Sequence, residues 1–200
     1  MGDEIKSTLE IALEKAARLG RASEEELKWE GYKEKALMLV GKFLKGEEEN
    51  LPQKVTSFLK EIPPSFQKKI LKVIVETLLK NLTLPREEYQ LEEAKKILSN
   101  LQGILAKVPK IEQVFKETEK LLSEYFSQKE ALYHELVKRF AAGLTALERA
   151  VSEQVGAKVK LSPEAHPQFQ EEWNKLKEHL DREYGRQLDY IKSLILKILS

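Results

Sequence analysis

The residues of this chain with the most reactive side chains are three histidines, His134, His166 and His179. Histidine is both a common metal ligand and a general acid or base near neutral pH. Glu130 lies four residues before His134, and Glu183 lies four residues after His179, so each pair shares one helix face. The Glu-x-x-His spacing of di-iron bundles and the ligand spacings of zinc sites are both missing. The pattern therefore indicates surface pairing and predicts no metal site.

Two charged clusters are the next candidates for a site. The acidic run 47–49 lacks the ligand spacing of a calcium loop, which favours a solvated connection. Lys68, Lys69 and Lys72 flank the apolar Ile70, as on the polar side of a buried helix rather than in a phosphate-binding patch. There is no glycine-rich phosphate loop, no nucleophile elbow and no cysteine. We therefore predict a protein that is not an enzyme, needs no cofactor and binds no nucleic acid.

The charge balance argues against long-range attraction to a charged partner. The 200 residues include 34 Lys and Arg against 33 Asp and Glu, a formal net charge of +1. The absence of cysteine means that no oxidising compartment is required. The first ten residues are not typical of a secretory signal, and no apolar run approaches the ~18 residues of a membrane span. These observations predict a cytoplasmic protein and argue against a membrane partner.

Apolar residues recur at helical spacing in five segments before residue 109. The fourth segment has a wide apolar face, which predicts the most buried helix of the set. Proline and glycine separate the segments, and Pro63 with Pro64 predicts a sharp corner. The predicted helices lie at about 5–20, at about 23–45, from Asn50 to Ile62, from Pro64 onward, and from Thr83 or Pro85 to Pro109.

The second half of the chain predicts one long antiparallel helical hairpin. Helical phase is unbroken from Ile111 to Val155, which would make a helix about 70 Å long, whereas a compact domain of this size is about 40 Å across. Gly143 permits a bend there without ending the helix. The final helix begins at either Ser162 or Pro167, and the short connection requires it to return antiparallel to the first.

The width of the apolar stripe divides this hairpin into two parts. Near the start of the long helix and near the end of the final helix, a second apolar row accompanies the first. Toward the connection between the two helices, both stripes narrow to nearly one row. We therefore expect a bundle at 1–108 and a hairpin at 109–200, whose base packs into the bundle and whose tip, about 143–180, projects into solvent. Deleting 191–199 should then remove most of the stability.

Four residues of the tip are candidates for binding a partner, although in-phase aromatic residues usually pack inside a protein. They lie on the narrow stripe and are Trp173, Phe169, Leu147 and Val151.

Three segments of the chain resemble a known family. These are 4–15 (EIKSTLEIALEK), 81–85 (NLTLP) and 156–164 (GAKVKLSPE). They are similar to an uncharacterised bacterial family of all-helical proteins of comparable length, along the whole chain. The resemblance implies a bacterial cytosolic protein and implies no activity or site.

The sequence thus predicts an all-α protein, with about five helices in a bundle followed by the long hairpin. The leading functional hypothesis is a non-enzymatic interaction or scaffold protein, whose hairpin pairs with a protein partner or with a second copy in a homo-oligomer. The alternative is a binder of apolar ligands or membrane surfaces through the wide faces of the fourth and last helices. An enzyme with a carboxylate-rich pocket among the first five helices is a third hypothesis, with no residue set to support it.

Overall fold

Helices account for all the regular secondary structure in the described part of the chain. The computed structural model describes residues 24–158 and 160–199, apart from the side chains of residues 146 and 147. The predicted all-α fold class is confirmed, whereas the helix predicted at 5–20 lies outside the described residues. The elements are α1 (Glu24–Leu44), α2 (Leu51–Glu61), α3 (Pro64–Asn81), α4 (Glu88–Ile104), α5 (Ile111–Val155), a 3-10 turn (Pro163–Ala165) and α6 (Pro167–Ile198).

The corner between α2 and α3 follows from the proline pair. Ile62 is extended, with ψ 150°, because the residue before a proline avoids the helical region. Pro64 then begins α3, in the first turn, where its missing N–H would have no partner within the helix. Asn50 precedes α2 as predicted, but its side chain makes no capping hydrogen bond. Its backbone N–H instead donates to Oε1 of Glu48 at 3.2 Å.

The start of α4 differs from the prediction at Thr83 or Pro85. The helix begins at Glu88, and Glu87 and Gln90 form a reciprocal capping box before it. The backbone N–H of Arg86 also donates to Oε1 of Gln90, at 2.7 Å. Glutamate is not among the favoured capping residues, which is why the prediction placed the start at the preceding Thr and Pro.

The structure resolves both alternatives that the sequence left open in the hairpin. Helix α5 is continuous through Gly143 for 45 residues, or about 68 Å at 1.5 Å per residue. It ends at Gly156, whose φ of 69° belongs to the left-handed region. Helix α6 begins at Pro167, because residues 163–165 form a separate 3-10 turn. Nδ1 of His166 caps α6 by accepting from the N–H of Gln168 at 3.3 Å.

The apolar core is centred on α3, which contacts α1, α2, α4 and α6. Both ends of the hairpin enter this core. Phe115 and Leu122 come from the first turns of α5, and Leu188 and Ile195 come from the last turns of α6. Burial of these apolar side chains holds the two long helices to the bundle. The division of the chain at residue 108, with a tip at 143–180, stays a prediction.

The outer surfaces of the helices are highly charged. Many of the charges pair along one helix, for example Glu112 with Lys116 at 2.7 Å and Glu171 with Lys175 at 2.6 Å. These exposed pairs contribute little to stability because water screens them. Within the described ranges, no helix is both long enough and apolar enough to cross a membrane.

Candidate functional site

The hairpin leaves the apolar core about one third of the way along α5. Phe126 on α5 and Tyr184 on α6 are among the side chains that pack against the core there. Residues 130–180, between these levels, are called the distal hairpin below. Within it, contacts join Tyr133 to Trp173 and Phe140 to Phe169. Residues later in α5 therefore contact residues earlier in α6. The two helices are therefore antiparallel, as predicted.

A group of polar side chains marks the junction between the core and the distal hairpin. The hydroxyl of Tyr125 donates to Oδ1 of Asp181 at 2.6 Å, which joins α5 to α6. One turn away, the hydroxyl of Tyr184 donates to Oε1 of Gln128 at 2.8 Å. The two tyrosine rings meet edge to face, with centroids 5.5 Å apart. The ammonium group of Lys129 donates to the carbonyl oxygen of Arg86, which ties α5 to the connection before α4.

The surroundings of Tyr125 favour its neutral phenol. Only 2% of the residue is exposed, so the charged phenolate would lose its hydration. This burial is the main cause that raises the pKa of Tyr125, and the hydrogen bond to Asp181 and its negative charge raise the pKa further. Burial also raises the pKa of Tyr184, with a contribution from Glu124 and Glu183. Both tyrosines therefore act as hydrogen-bond donors at neutral pH and are poorly suited to act as bases.

An open cleft of about 350 Å³ lies beside this junction. Its charged groups are of both signs, with Arg86, Lys129 and Lys177 near Glu130 and Asp181. A mixed lining of this kind gives no preference for an anion or a cation. None of the residues that line the cleft is a serine, a threonine or a cysteine.

Aromatic side chains hold the two helices of the distal hairpin together. Tyr133 packs edge to face against Trp173, with centroids 5.1 Å apart, and against Phe169 at 5.9 Å. Phe140 packs edge to face against Phe169, with centroids 5.4 Å apart, and lies against His166 at 5.6 Å. Such edge-to-face pairs add to the stabilisation from burial, by about 0.5–1.5 kcal/mol each. This aromatic cluster couples α5 to α6 beyond the limits of the bundle core.

Polar contacts join α5 to α6 and to the connection between the two helices. Arg139 on α5 forms an ion pair with Glu172 on α6, and its guanidinium lies 5.8 Å from the ring centroid of Phe140. In the connection, the backbone N–H of Leu161 donates to Oε1 of Glu148 at 2.8 Å. The connection therefore runs back along α5 before α6 begins. The last turns of α5 are packed by this irregular segment and the 3-10 turn rather than by a second helix.

The end of α5 consequently has an accessible apolar surface. Val155 is 65% exposed, and Val151 is partly exposed one turn earlier. Small residues are exposed on the same stretch of helix, namely Ala141, Ala142, Gly143 and Ala150. Leu144 is directed into the hairpin and is only 8% exposed. The surface formed by Val151 and Val155 is called the α5 end surface below.

The four predicted partner-binding residues have different surroundings. Phe169 is completely buried between Tyr133 and Phe140, so it supports the hairpin from inside. Trp173 is partly buried, packs on Tyr133 and also lines the junction cleft. Val151 lies on the α5 end surface, and the side chain of Leu147 lies outside the described residues. Their role in binding a partner stays a prediction.

The three histidines do not form a common site. His134 and His179 are exposed on α5 and α6, whereas His166 caps α6 and packs on Phe140. Across the described residues, no group of three or more His, Asp or Glu side chains could hold a metal ion.

The sequence prediction missed the hydrogen-bonded junction. Tyr125 falls in the apolar stripe that predicts the long helix from Ile111 to Val155, and the spacing gives Asp181 no role. A signal was present, because a buried tyrosine usually needs a partner for its hydroxyl. Asp181 lies beside Leu180 and three residues before Tyr184, close to the apolar face of α6, where a carboxylate is uncommon.

Comparison with known proteins gives a family but no activity. A family of unknown function (DUF6657) matches residues 56–197, a range that contains α3, α4, α5 and the whole distal hairpin. No curated protein matches the chain, and no solved structure matches it. Since the match covers more than half of the chain, the chain belongs to that family.

Proposed function

We propose that this member of the family is a non-enzymatic helical interaction protein, whose distal hairpin is an arm that binds a second copy of the chain. The observation that carries the proposal is the packing of residues 130–180. They form a two-helix arm beyond the bundle core, and the aromatic cluster makes that arm rigid. A rigid arm can present a surface at a fixed distance from the core.

The composition of the arm supports a mechanical role. A two-helix hairpin has only one interface in which to bury apolar side chains, so it needs strong contacts there to stay ordered. Tyr133, Phe140, Phe169 and Trp173 provide large apolar areas across that single interface. Large aromatic residues therefore order a segment that lies outside the compact bundle.

We place the contact on the α5 end surface. Val155 and Val151 can bury apolar area there against the same two residues of a second copy. The arm contains seven basic and eight acidic residues, so two arms would not repel one another. A two-fold pairing of identical surfaces is also the commonest form of self-association among soluble proteins. Of the predicted residues, Val151 and Leu147 belong to this stretch of helix, while Phe169 and Trp173 order the arm nearer the core by packing on Tyr133.

Sedimentation velocity over a range of concentrations tests the proposal. The test variant is the double substitution Val151→Asp and Val155→Asp, which adds two charges to the α5 end surface. The matched control is Tyr190→Asp, because Tyr190 is 64% exposed on α6 outside the arm. We expect the wild type and the control to form dimers as concentration rises, and the double variant to stay monomeric. A monomeric wild type at all concentrations would remove the proposal, as would equal dimerisation of all three proteins.

The alternative function, binding of apolar ligands or membrane surfaces, has less support. It depends on the wide apolar faces of the fourth predicted helix and of the last one. Ile70, Ile74 and Leu78 of α3 are fully buried, and Ile195 of α6 is fully buried too. The core already uses these side chains, which leaves less of both faces for a ligand or a bilayer.

A further inference from the structure

The cleft at the junction follows a regular register between the two long helices. At its inner end, the hydroxyl of Tyr125 on α5 donates to Asp181 on α6. At its outer end, the ring of Tyr133 on α5 packs on Trp173 on α6. The two α5 positions are eight residues apart, and so are the two α6 positions, so the helices advance in step between the two contacts. Residues midway between the contacts, four positions from each, therefore face one another across the cleft.

Both midway residues are lysines. Lys129 on α5 and Lys177 on α6 line the cleft and are partly buried. Neither forms an ion pair among the described residues. The ammonium group of Lys129 donates to a backbone carbonyl oxygen, which does not neutralise its charge. Two ammonium groups at one level repel each other unless an anion lies between them. A pairing that opposes folding in this way is expected at a functional site.

The same cleft contains carboxylates that retain the capacity to accept a hydrogen bond. Tyr125 occupies Oδ1 of Asp181, whereas the second oxygen of that carboxylate has lone pairs of its own. Glu130 also lines the cleft and forms no ion pair within the described ranges. Full charges of both signs thus meet in a volume of about 350 Å³, which is at the lower end of the range for small-molecule sites.

The outer end of the cleft is aromatic. The rings of Tyr133 and Trp173 meet at 70°, and both residues are partly exposed where they line the cleft. A partly exposed ring offers an apolar surface on which the ring of a ligand can pack.

We propose that the junction cleft binds a small zwitterion with an aromatic ring, namely an aromatic amino acid. Its carboxylate lies between the ammonium groups of Lys129 and Lys177, its own ammonium group contacts Glu130 and Asp181, and its ring packs on Trp173. A lining of mixed sign favours neither a simple anion nor a simple cation, whereas a zwitterion uses both signs. The site is separate from the α5 end surface, so it does not depend on the proposed dimer.

The fluorescence of Trp173 tests this binding within the cleft itself. The chain has two tryptophans, so Trp29→Phe in the full chain leaves Trp173 as the reporter. The probes are L-phenylalanine, phenylpropionate, which lacks the ammonium group, and phenethylamine, which lacks the carboxylate. We expect a saturable change with phenylalanine and at least tenfold weaker binding of the two analogues. The absence of a saturable change with phenylalanine would overturn the proposal, and so would an analogue that binds as tightly as phenylalanine.

Substitutions that remove one charge test the assigned contacts in the same Trp29→Phe background. The test variants are Lys177→Gln and Glu130→Gln. The matched controls are Lys175→Gln and Glu135→Gln, because both residues are exposed on the same stretches of helix and do not line the cleft. We expect each test variant to bind phenylalanine at least tenfold more weakly, and each control to bind it as the unsubstituted background does.

The two test variants should differ with phenylpropionate. Lys177→Gln should weaken its binding further, whereas Glu130→Gln should not, because this probe has no ammonium group for Glu130 to contact. Thermal melting checks that each variant is folded. Equal affinities for phenylalanine in the test and control variants would overturn the proposal, because the amino acid would then bind without the charges of the cleft.

Discussion

The hydroxyl of Tyr125 donates a 2.6 Å hydrogen bond to Oδ1 of Asp181, although 56 positions separate the two residues in the chain. The bond connects α5 to α6 at the level where the bundle core ends and the distal hairpin begins. Because Tyr125 is almost completely buried, water cannot easily replace Asp181 as the partner of its hydroxyl. The two residues therefore fix the register of α6 against α5 at this level by a contact that is specific in geometry.

Replacement of Tyr125 by Phe should destabilise the protein while keeping the aromatic ring. The variant loses a hydrogen bond to a charged group, which is worth about 1.5–3 kcal/mol. Urea unfolding of the wild type and of Tyr125→Phe measures the difference. Tyr184→Phe is the matched control, because its hydroxyl bonds Gln128 in an exposed environment and its loss should cost less than about 1 kcal/mol. Equal losses in the two variants would contradict the special role of the Tyr125 pair.

The stability of the folded protein should decrease in alkaline solution because of the same pair, Tyr125 and Asp181. Burial, followed by the hydrogen bond to Asp181, raises the pKa of Tyr125 in the folded protein above the unfolded value near 10. Above pH 10 the unfolded chain releases this proton and the folded chain keeps it, so unfolding becomes easier as pH rises. The stabilisation is fully present below pH 10 and should be lost at up to about 1.4 kcal/mol per pH unit above it.

The measurement for this pH effect is the difference between wild type and Tyr125→Phe. Other groups titrate in the same range, and the comparison cancels them because both proteins contain them. Unfolding free energies at pH 9, 10 and 11 should therefore converge as pH rises. A constant difference over that range would show that the phenol of Tyr125 titrates in the same way in both states.

Two substitutions of glycine should have opposite effects on stability. Gly143 is exposed within α5, and a Cβ there would meet nothing within 4 Å, so Gly143→Ala should stabilise the protein by about 0.5–1 kcal/mol. At Gly103 of α4, a Cβ would lie 2.8 Å from Cγ of Pro52 on α2. Because a proline ring cannot move aside easily, Gly103→Ala should destabilise by about 1–3 kcal/mol despite its gain in helix propensity.

Thermal melting of the two alanine variants beside the wild type decides this prediction. The expected order of midpoints is Gly143→Ala above the wild type and Gly103→Ala below it. A higher midpoint for Gly103→Ala would mean that α2 and α4 can separate at little cost.

Much of the fold was predictable because helical periodicity is strong in this chain. The phase of apolar residues from Ile111 to Val155 correctly indicated one long helix, and the Pro63–Pro64 pair correctly indicated a corner. Helix starts were harder to predict when the capping residue was unusual. Glu87 caps α4 and His166 caps α6, and neither residue is among the common capping types.

The candidate site was less predictable because its contacts join distant parts of the chain. The pairing of Tyr125 with Asp181 depends on the register between α5 and α6, which the spacing within one helix does not specify. The same register places Phe169 between Tyr133 and Phe140, so a residue predicted for partner binding is buried.

The C-terminal turns of α6 should contribute a large share of the stability. That contribution should come from their buried residues and not from their exposed ones. Ile195 is fully buried in the core beside Leu188 and Leu199, whereas Ile198 on the next turn is 50% exposed. Ile195→Ala removes buried methyl groups and leaves a cavity, which costs about 2–5 kcal/mol. Ile198→Ala is the matched control, because the same change at a half-exposed position should cost less than about 1 kcal/mol.

Urea unfolding of these two variants measures how strongly the end of the chain anchors the hairpin. A loss of 2–5 kcal/mol is a large part of the 5–15 kcal/mol that stabilises a typical domain, so Ile195→Ala should lower the midpoint severely. The slope of the unfolding curve should change little if the bundle and the base of the hairpin unfold together. Similar small losses for both variants would mean that α6 is held mainly by the junction at Tyr125 and by the aromatic cluster, and not by its own C-terminal turns.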